Sequence, residues 1–269
     1  MWHYVETGSG RPLVLLHGIG MSGSVWNSVT PYLSATRRVI AFDIAGFGRT
    51  PPLARTTSPT SANLAAALEE SVRAMDLEIP VDIAGNSLGG LIALEAAKRG
   101  LARSVVAISP PGLWKDHGAA YVKYLFATLR FLARRAPSVL KAMMRPPALR
   151  ELALAIPISV GSGRMPVTAA LGVIDDLAQA TGFEDTFLAT ATPFTGRDIA
   201  VPLTVVFGDR DFILPNGSRR RDELPAHTRW ITKRGWGHVP MWIDPVGVSQ
   251  LILEGTRSSQ VDAVLVARG

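Results

Sequence analysis

The stretch that most limits what this chain can fold into is Gly85-Asn86-Ser87-Leu88-Gly89, set between an apolar strand pattern and a helix pattern. Val81, Ile83 and Ala84 read as a short buried strand, and Leu91, Ile92, Leu94, Ala96 and Ala97 as a helix. A strand that becomes a helix within one residue brings two backbones almost into collision. Small residues are therefore required two positions either side of the turn, where Gly85 and Gly89 stand. Such a turn holds the Ser87 hydroxyl out at its tip, and the following helix aims free N–H groups and its positive dipole end at the same spot. The geometry suits a nucleophile whose reaction places negative charge on oxygen.

The surrounding sequence repeats the strand–helix alternation. Strand patterns at Leu13 to Leu16, Val39 to Asp43, Val81 to Ala84 and Val105 to Ser109 are separated by helix patterns near Val25 to Leu33, from about Ser61 to Met75, and after Ser87. Short, wholly apolar strands of this kind predict a mostly parallel sheet with helices on both faces, an α/β fold. The alternation breaks at Pro110-Pro111-Gly112. From about Leu113 to Phe194 the pattern is helical and cut by prolines, which are tolerated in a first helical turn and not within. Strands resume at Leu203 to Phe207 and Thr228 to Thr232, and Asp244-Pro245 begins a last helix. The expected organisation is one core, residues 1–112 and 195–269, carrying a helical insertion at 113–194.

With 47% hydrophobic and 19% charged residues the composition is globular, and the absence of cysteine removes disulfides and thiolate chemistry. No apolar run approaches the ~20 residues of a membrane span. The N-terminal residues lack a secretory-signal pattern, so a cytoplasmic location is expected. The net charge of +6 raises anionic partners, but no nucleic-acid-reading motif accompanies it, and no nucleic acid is expected. Arg219-Arg220-Arg221 reads as a solvated helix face. Nothing in the sequence sets an oligomeric state.

A serine hydroxyl needs a base and an orienting acid at the same edge of the sheet. Gly208-Asp209-Arg210-Asp211 follows one late strand and Gly237-His238 the next, which offers His238 as base and either Asp209 or Asp211 as acid. The loop His17-Gly18-Ile19-Gly20, directly after the first strand pattern, can turn the Ile19 N–H toward Ser87, with Leu88 N–H as a second oxyanion donor.

Taken in order, His17-Gly18, Asp43-Ile44-Ala45-Gly46-Phe47-Gly48, the Ser87 turn, Gly208 to Asp211 and Gly237-His238 resemble the signatures of the α/β-hydrolase superfamily with a helical cap. The resemblance covers nearly all of residues 2–257. It implies an α/β-hydrolase fold, with Asp211 as the acid, His17 bracing the oxyanion loop, Asp43 as a structural acceptor and Val239 lining the substrate pocket. His3, His117 and His227 then fall to surface or core roles, and Trp236 and Trp242 to packing.

The expected activity is hydrolysis of a small-molecule carboxylic ester through an acyl-enzyme, without metal or organic cofactor. Haloalkane dehalogenases and epoxide hydrolases of this superfamily carry an aspartate nucleophile where this chain has Ser87. Carbon–carbon bond hydrolases of ring-cleavage products are a nearer alternative. Their oxyanion loop usually reads HGxGPG, and here Met21 stands in place of that proline. A lactonase would use the same residues, and a receptor-like binding protein with a slow triad is a third alternative.

Within the insertion, residues 114–150 hold eight basic side chains against one acid, Asp116. A helix over 117–135 would align Lys123, Arg130 and Arg134 on one face, with Tyr121, Leu125 and Leu132 opposite. The expectation is an apolar face over the active site and charges in water. A weak contact of the basic face with anionic surfaces is the sharper alternative.

Overall fold

The computed structural model describes residues 1–114, 120–214 and 216–257. At its centre is a seven-stranded sheet in the order β1-β3-β2-β4-β5-β6-β7. Its strands are β1 (Tyr4–Thr7), β2 (Arg11–Leu16), β3 (Arg37–Phe42), β4 (Val81–Asn86), β5 (Ala102–Ile108), β6 (Leu203–Gly208) and β7 (Arg229–Lys233). All neighbours pair parallel except β1, which runs antiparallel to β3 at the edge. β2, β4 and β6 are buried at nearly every position because helices cover both faces. Solvent-facing β1 shows no apolar run, so the sequence does not announce it.

The expected helix near Val25 to Leu33 is instead a 3₁₀ turn, Gly23–Trp26, followed by a short α1 (Thr30–Leu33) that Pro31 starts afresh in its first turn. α2 (Ser61–Arg73) begins with Thr60 accepting from Asn63 N. α2 and α3 (Leu88–Lys98) pack on one face of the sheet, and α1 and α9 (Pro245–Gly255) on the other. Asp244 caps α9 by accepting from Gly247 N at 2.9 Å. The arginine run is not a solvated helix face. Arg219 bonds Leu214 O and lies over the Phe207 ring, Arg220 pairs with Asp222 and Glu223, and Arg221 lies over Trp230.

At the amino ends of the strands, Asp82 is 1% exposed and accepts from Arg37 at 2.5 Å and from the Ser104 hydroxyl at 2.8 Å. Arg37 and Arg11 both continue to Thr256, just past α9, Arg37 through the Thr256 hydroxyl and Arg11 through its carbonyl. A buried carboxylate is tolerable only when its charge is matched and its lone pairs are filled, and this cluster does both.

Between β5 and β6 run the helices α4 (Ala120–Arg135), α5 (Pro137–Met144), α6 (Pro147–Leu154), α7 (Val167–Gln179) and α8 (Phe183–Ala189), which roof the carboxyl ends of the strands. The roof meets the core through Gly182 N to Gly46 O at 3.0 Å and through Ser22 Oγ donating to Asp176 at 2.7 Å. At the first contact a Cβ on either glycine would fall within 2.8 Å of the other's Cα.

α4 is turned by roughly 90° from the expected orientation, judged at 100° per residue. Arg130 is 7% exposed, whereas Tyr121 and Leu132 are 46% and 37% exposed. The cause is the end of α7. The Arg130 guanidinium donates to the carbonyls of Leu177, in the last turn of α7, and of Ala180, just past it, pairs with Glu184 at 2.9 Å and lies over the Phe183 ring. Phe126 follows it inward against Phe183 and Phe187. Lys115, Asp116, His117 and the tail from 258 lie outside the described residues.

Candidate active site

β4 enters the Ser87 turn fully buried, and Ser87 itself sits at φ 52°, ψ −119°, a strained conformation for a residue with a side chain. The turn admits it only because a Cβ on Gly85 would lie 2.2 Å from Gly89 O, and one on Gly89 2.3 Å from Leu16 O. Ser87 N donates to Ile108 O and Gly89 N to His17 O, which fixes the turn between β5 and the loop after β2.

Asp211 follows β6 and His238 follows β7, so parallel strands deliver both side chains to the edge where Ser87 stands. His238 Nε2 is 2.9 Å from Ser87 Oγ, and His238 Nδ1 is 3.1 Å from both carboxylate oxygens of Asp211. A carboxylate only accepts, so Nδ1 carries the proton and Nε2 is left to accept from the serine. Asp211 also receives Ile213 N and Leu214 N, each at 3.0 Å. Burial drives its pKa up, but the adjacent imidazole and these donors outweigh burial and hold the carboxyl below the usual carboxylate range. Asp209 is exposed and turned away, accepting from Gly235 N at 2.6 Å.

His17 is fully buried beneath the loop that follows β2. Its Nδ1–H donates to Gly18 O at 2.7 Å and its Nε2 accepts Ile44 N at 2.9 Å; burial pushes its pKa down to about 4, so it stays neutral. Asp43 accepts from Gly23 N, Arg49 N and His3, and so ties the 3₁₀ turn to the loop after β3. Among the described residues neither Ile19 N–H nor Leu88 N–H donates to a protein acceptor, and both residues line cavities at Ser87. His227 is bonded to Val201 O, far from the triad, and Trp236 is buried with its indole N–H on Asp244.

Two cavities meet at Ser87. One, of ≈ 90 Å³, lies under the helical roof, walled by Leu140, Met144, Leu154, Ile174, Leu177 and Val239. The other, of ≈ 440 Å³, runs outward past Trp114, Val122, Phe187 and Ile213 to Lys123 and Leu188. Ile19 and Phe126 border both. Among the described residues no group of three His, Cys, Asp or Glu side chains is placed to hold a metal ion.

Three contacts carry no sequence signal. Ser159 Oγ, in the insertion, accepts Gly237 N at 2.9 Å, and Ile158 O accepts Val239 N at 2.9 Å, so the roof grips the chain on both sides of His238. Asn86 Nδ2 donates to His238 O at 2.8 Å from beneath. Asp176, half-buried against Ser22, has its pKa raised by desolvation to about 6, with Asp43 and Asp175 adding to the rise.

A parallel sheet whose strand ends converge on a strained serine, with an imidazole and a carboxylate in line, defines the class to which sequence comparison also assigns the chain. It belongs to the alpha/beta hydrolase family, whose profile matches residues 13–251. It is 32% identical over 181 residues to "Epoxide hydrolase EphH" of Mycobacterium tuberculosis, covering 63% of this chain and 83% of the relative. To a pimeloyl-[acyl-carrier protein] methyl ester esterase of Aliivibrio fischeri it is 27% identical, covering 86% and 91%. A meta-cleavage product hydrolase of Pseudomonas fluorescens superposes with TM-score 0.70 at 19% identity, covering 93% and 92% of the two chains.

Proposed function

We propose that the protein hydrolyses carboxylic esters with apolar groups on both sides of the bond, by way of an acyl-enzyme. The 2.9 Å approach of His238 Nε2 to Ser87 Oγ carries this reading. In the first half-reaction Ser87 Oγ bonds to the ester carbon while its proton passes to His238 Nε2. The carbonyl oxygen takes the electron pair and is held by the Ile19 and Leu88 N–H groups, a donor pair of which each member is worth ~2.7–4 kcal/mol. Asp211, kept ionised, steadies the imidazolium. Collapse of the intermediate breaks the C–O bond, and the departing oxygen takes the proton from His238. Water then attacks the acyl-enzyme with His238 again as base, releasing the acid.

The cavities support the substrate class. One receives the acyl chain and the other the alcohol, and their walls are almost wholly hydrocarbon, so each buried methylene adds ~0.8 kcal/mol of binding. The relative named as an ester esterase points the same way. The relative named as an epoxide hydrolase does not displace the reading, because Ser87 occupies the place where a superfamily epoxide hydrolase carries an aspartate.

The deciding measurement compares p-nitrophenyl esters of graded chain length with a vinylogous diketone, a lactone and an epoxide. Sustained turnover that is fastest on esters, and that rises with chain length before breaking off, is expected. Faster cleavage of the diketone would assign the carbon–carbon chemistry of the meta-cleavage relative. Release of a single equivalent followed by a stall would assign a receptor-like role.

A further inference from the structure

The outward face of α4 has the wrong chemistry for water. Tyr124 is 72% and Phe131 59% exposed, with the exposed Ala127 and Thr128 between them. Arg135 lies over the Phe131 ring, and Lys123 and Arg134 flank the aromatic strip. No acidic residue occurs anywhere in α4. Phe131, Lys123, Arg134 and Arg135 border a surface groove of ≈ 690 Å³ whose other wall is Phe187 and Leu188 of α8, with Leu188 63% exposed. The nearby carboxylate, Glu184, is already matched by Arg130. Lys123 and Leu188 are also the outer lip of the cavity that leads to Ser87.

We propose that this face seats the protein on an anionic lipid surface, with Tyr124, Phe131 and Leu188 among the upper acyl carbons and Lys123, Arg134 and Arg135 on the phosphates. Exposed aromatics interleaved with cations, with the one carboxylate lining the groove already matched by Arg130, are what such an interface selects. The cations gain from the surface potential, and the rings gain from leaving water. A purely protein partner would need acidic groups matched to the cations and apolar groups matched to the strip, while an anionic bilayer presents both without a defined register. The seating also aims the mouth of the outer cavity at the membrane, where apolar esters partition. The contact is reversible and does not require a spanning helix; among the described residues none is long and apolar enough to cross a membrane.

Flotation of the intact protein with vesicles of phosphatidylglycerol or of phosphatidylcholine tests this without reference to catalysis. It is run at about 0.01 M and about 1 M salt, where the screening lengths are ~30 Å and ~3 Å. Binding to phosphatidylglycerol at low salt, weaker by at least about tenfold on phosphatidylcholine or at high salt, is expected. Arg134→Gln with Arg135→Gln should lower partitioning about fivefold per charge. Tyr124→Ser with Phe131→Ser should lower it about tenfold or more. All four residues are exposed, so both variants should keep the wild-type melting temperature and rate on a water-soluble acetate ester. A wild type that stays with the aqueous fraction at low salt would overturn the proposal. So would variants that float like the wild type, or self-association that the aromatic variant abolishes while vesicles bind nothing.

Discussion

At the floor of the site Ser87, Asp211 and His238 are between 3% and 8% exposed, and each polar atom of the triad meets a defined partner at ordinary hydrogen-bond length. In the roof, Tyr124, Phe131, Leu152 and Leu188 stand more than half exposed while Arg130 and Arg150 are buried. The floor is governed by local rules: a turn that excludes side chains and strand ends that must face one edge. Tertiary accommodation governs the roof, since Arg130 and Arg150 each go inward to satisfy carbonyls at helix ends. The difference separates a region set by local geometry from one set by tertiary packing. The two regions join at Ser159 and Ile158, where the roof holds the chain beside His238.

Ser87→Ala would break the comparison outright if it left the rate intact. The expected loss is roughly 10⁶-fold in kcat, down to what the oxyanion donors and binding supply, with the melting temperature little changed. Residual activity above about a thousandth of wild type on a p-nitrophenyl ester would remove Ser87 from the mechanism. Next is Asp211→Asn, for which roughly a 10⁴-fold fall is expected because the amide favours the wrong imidazole tautomer. Asp209→Asn, altering only a contact with Gly235, should cost less than about tenfold. Equal losses would exchange the two acids.

The junction is probed by Ser159→Ala, which leaves the buried Gly237 N–H unpartnered. The expected result is a fall in kcat of about tenfold with KM near wild type and an altered pH–rate profile, as His238 loses its alignment. A change in melting temperature alone would make Ser159 a packing residue.

Asp176→Asn should have the smallest effect, and the opposite sign. The folded protein raises the Asp176 pKa to about 6 from 3.8, so it binds that proton more tightly than the unfolded chain does. The resulting stability is full below the unfolded value and is lost as pH rises through about 4 to 6. The amide keeps an acceptor for Ser22 without the half-buried charge. It should therefore raise stability above pH 6 by on the order of 1–2 kcal/mol, allowing for partial exposure, and change little near pH 4. Melting temperatures across that range decide it.

The α/β alternation, the Ser87 turn and the residues at the ends of β6 and β7 were legible because each rests on short-range pattern. Apolar runs mark strands buried on both faces, and Gly85 and Gly89 mark a close backbone approach. The orientation of α4 was not legible. An arginine that feeds the carbonyls at the end of α7 has the same place in a helical repeat as one pointing into water, and only the position of α7 distinguishes them. Ser159 and Asp176 were hidden for a related reason, since their partners Gly237 and Ser22 lie 78 and 154 residues away.

The buried cluster of Asp82, Arg37, Arg11 and Thr256 has a consequence for biosynthesis. Translation delivers the two arginines and the carboxylate in the first third of the chain, and Thr256 only after the whole roof and the last two strands. A nascent chain held on the ribosome before that threonine emerges has all seven strands in hand but lacks one acceptor for each of the two arginines. The tie between the amino ends of β2 and β3 and the end of α9 can therefore form only after nearly the whole of the described chain has been made.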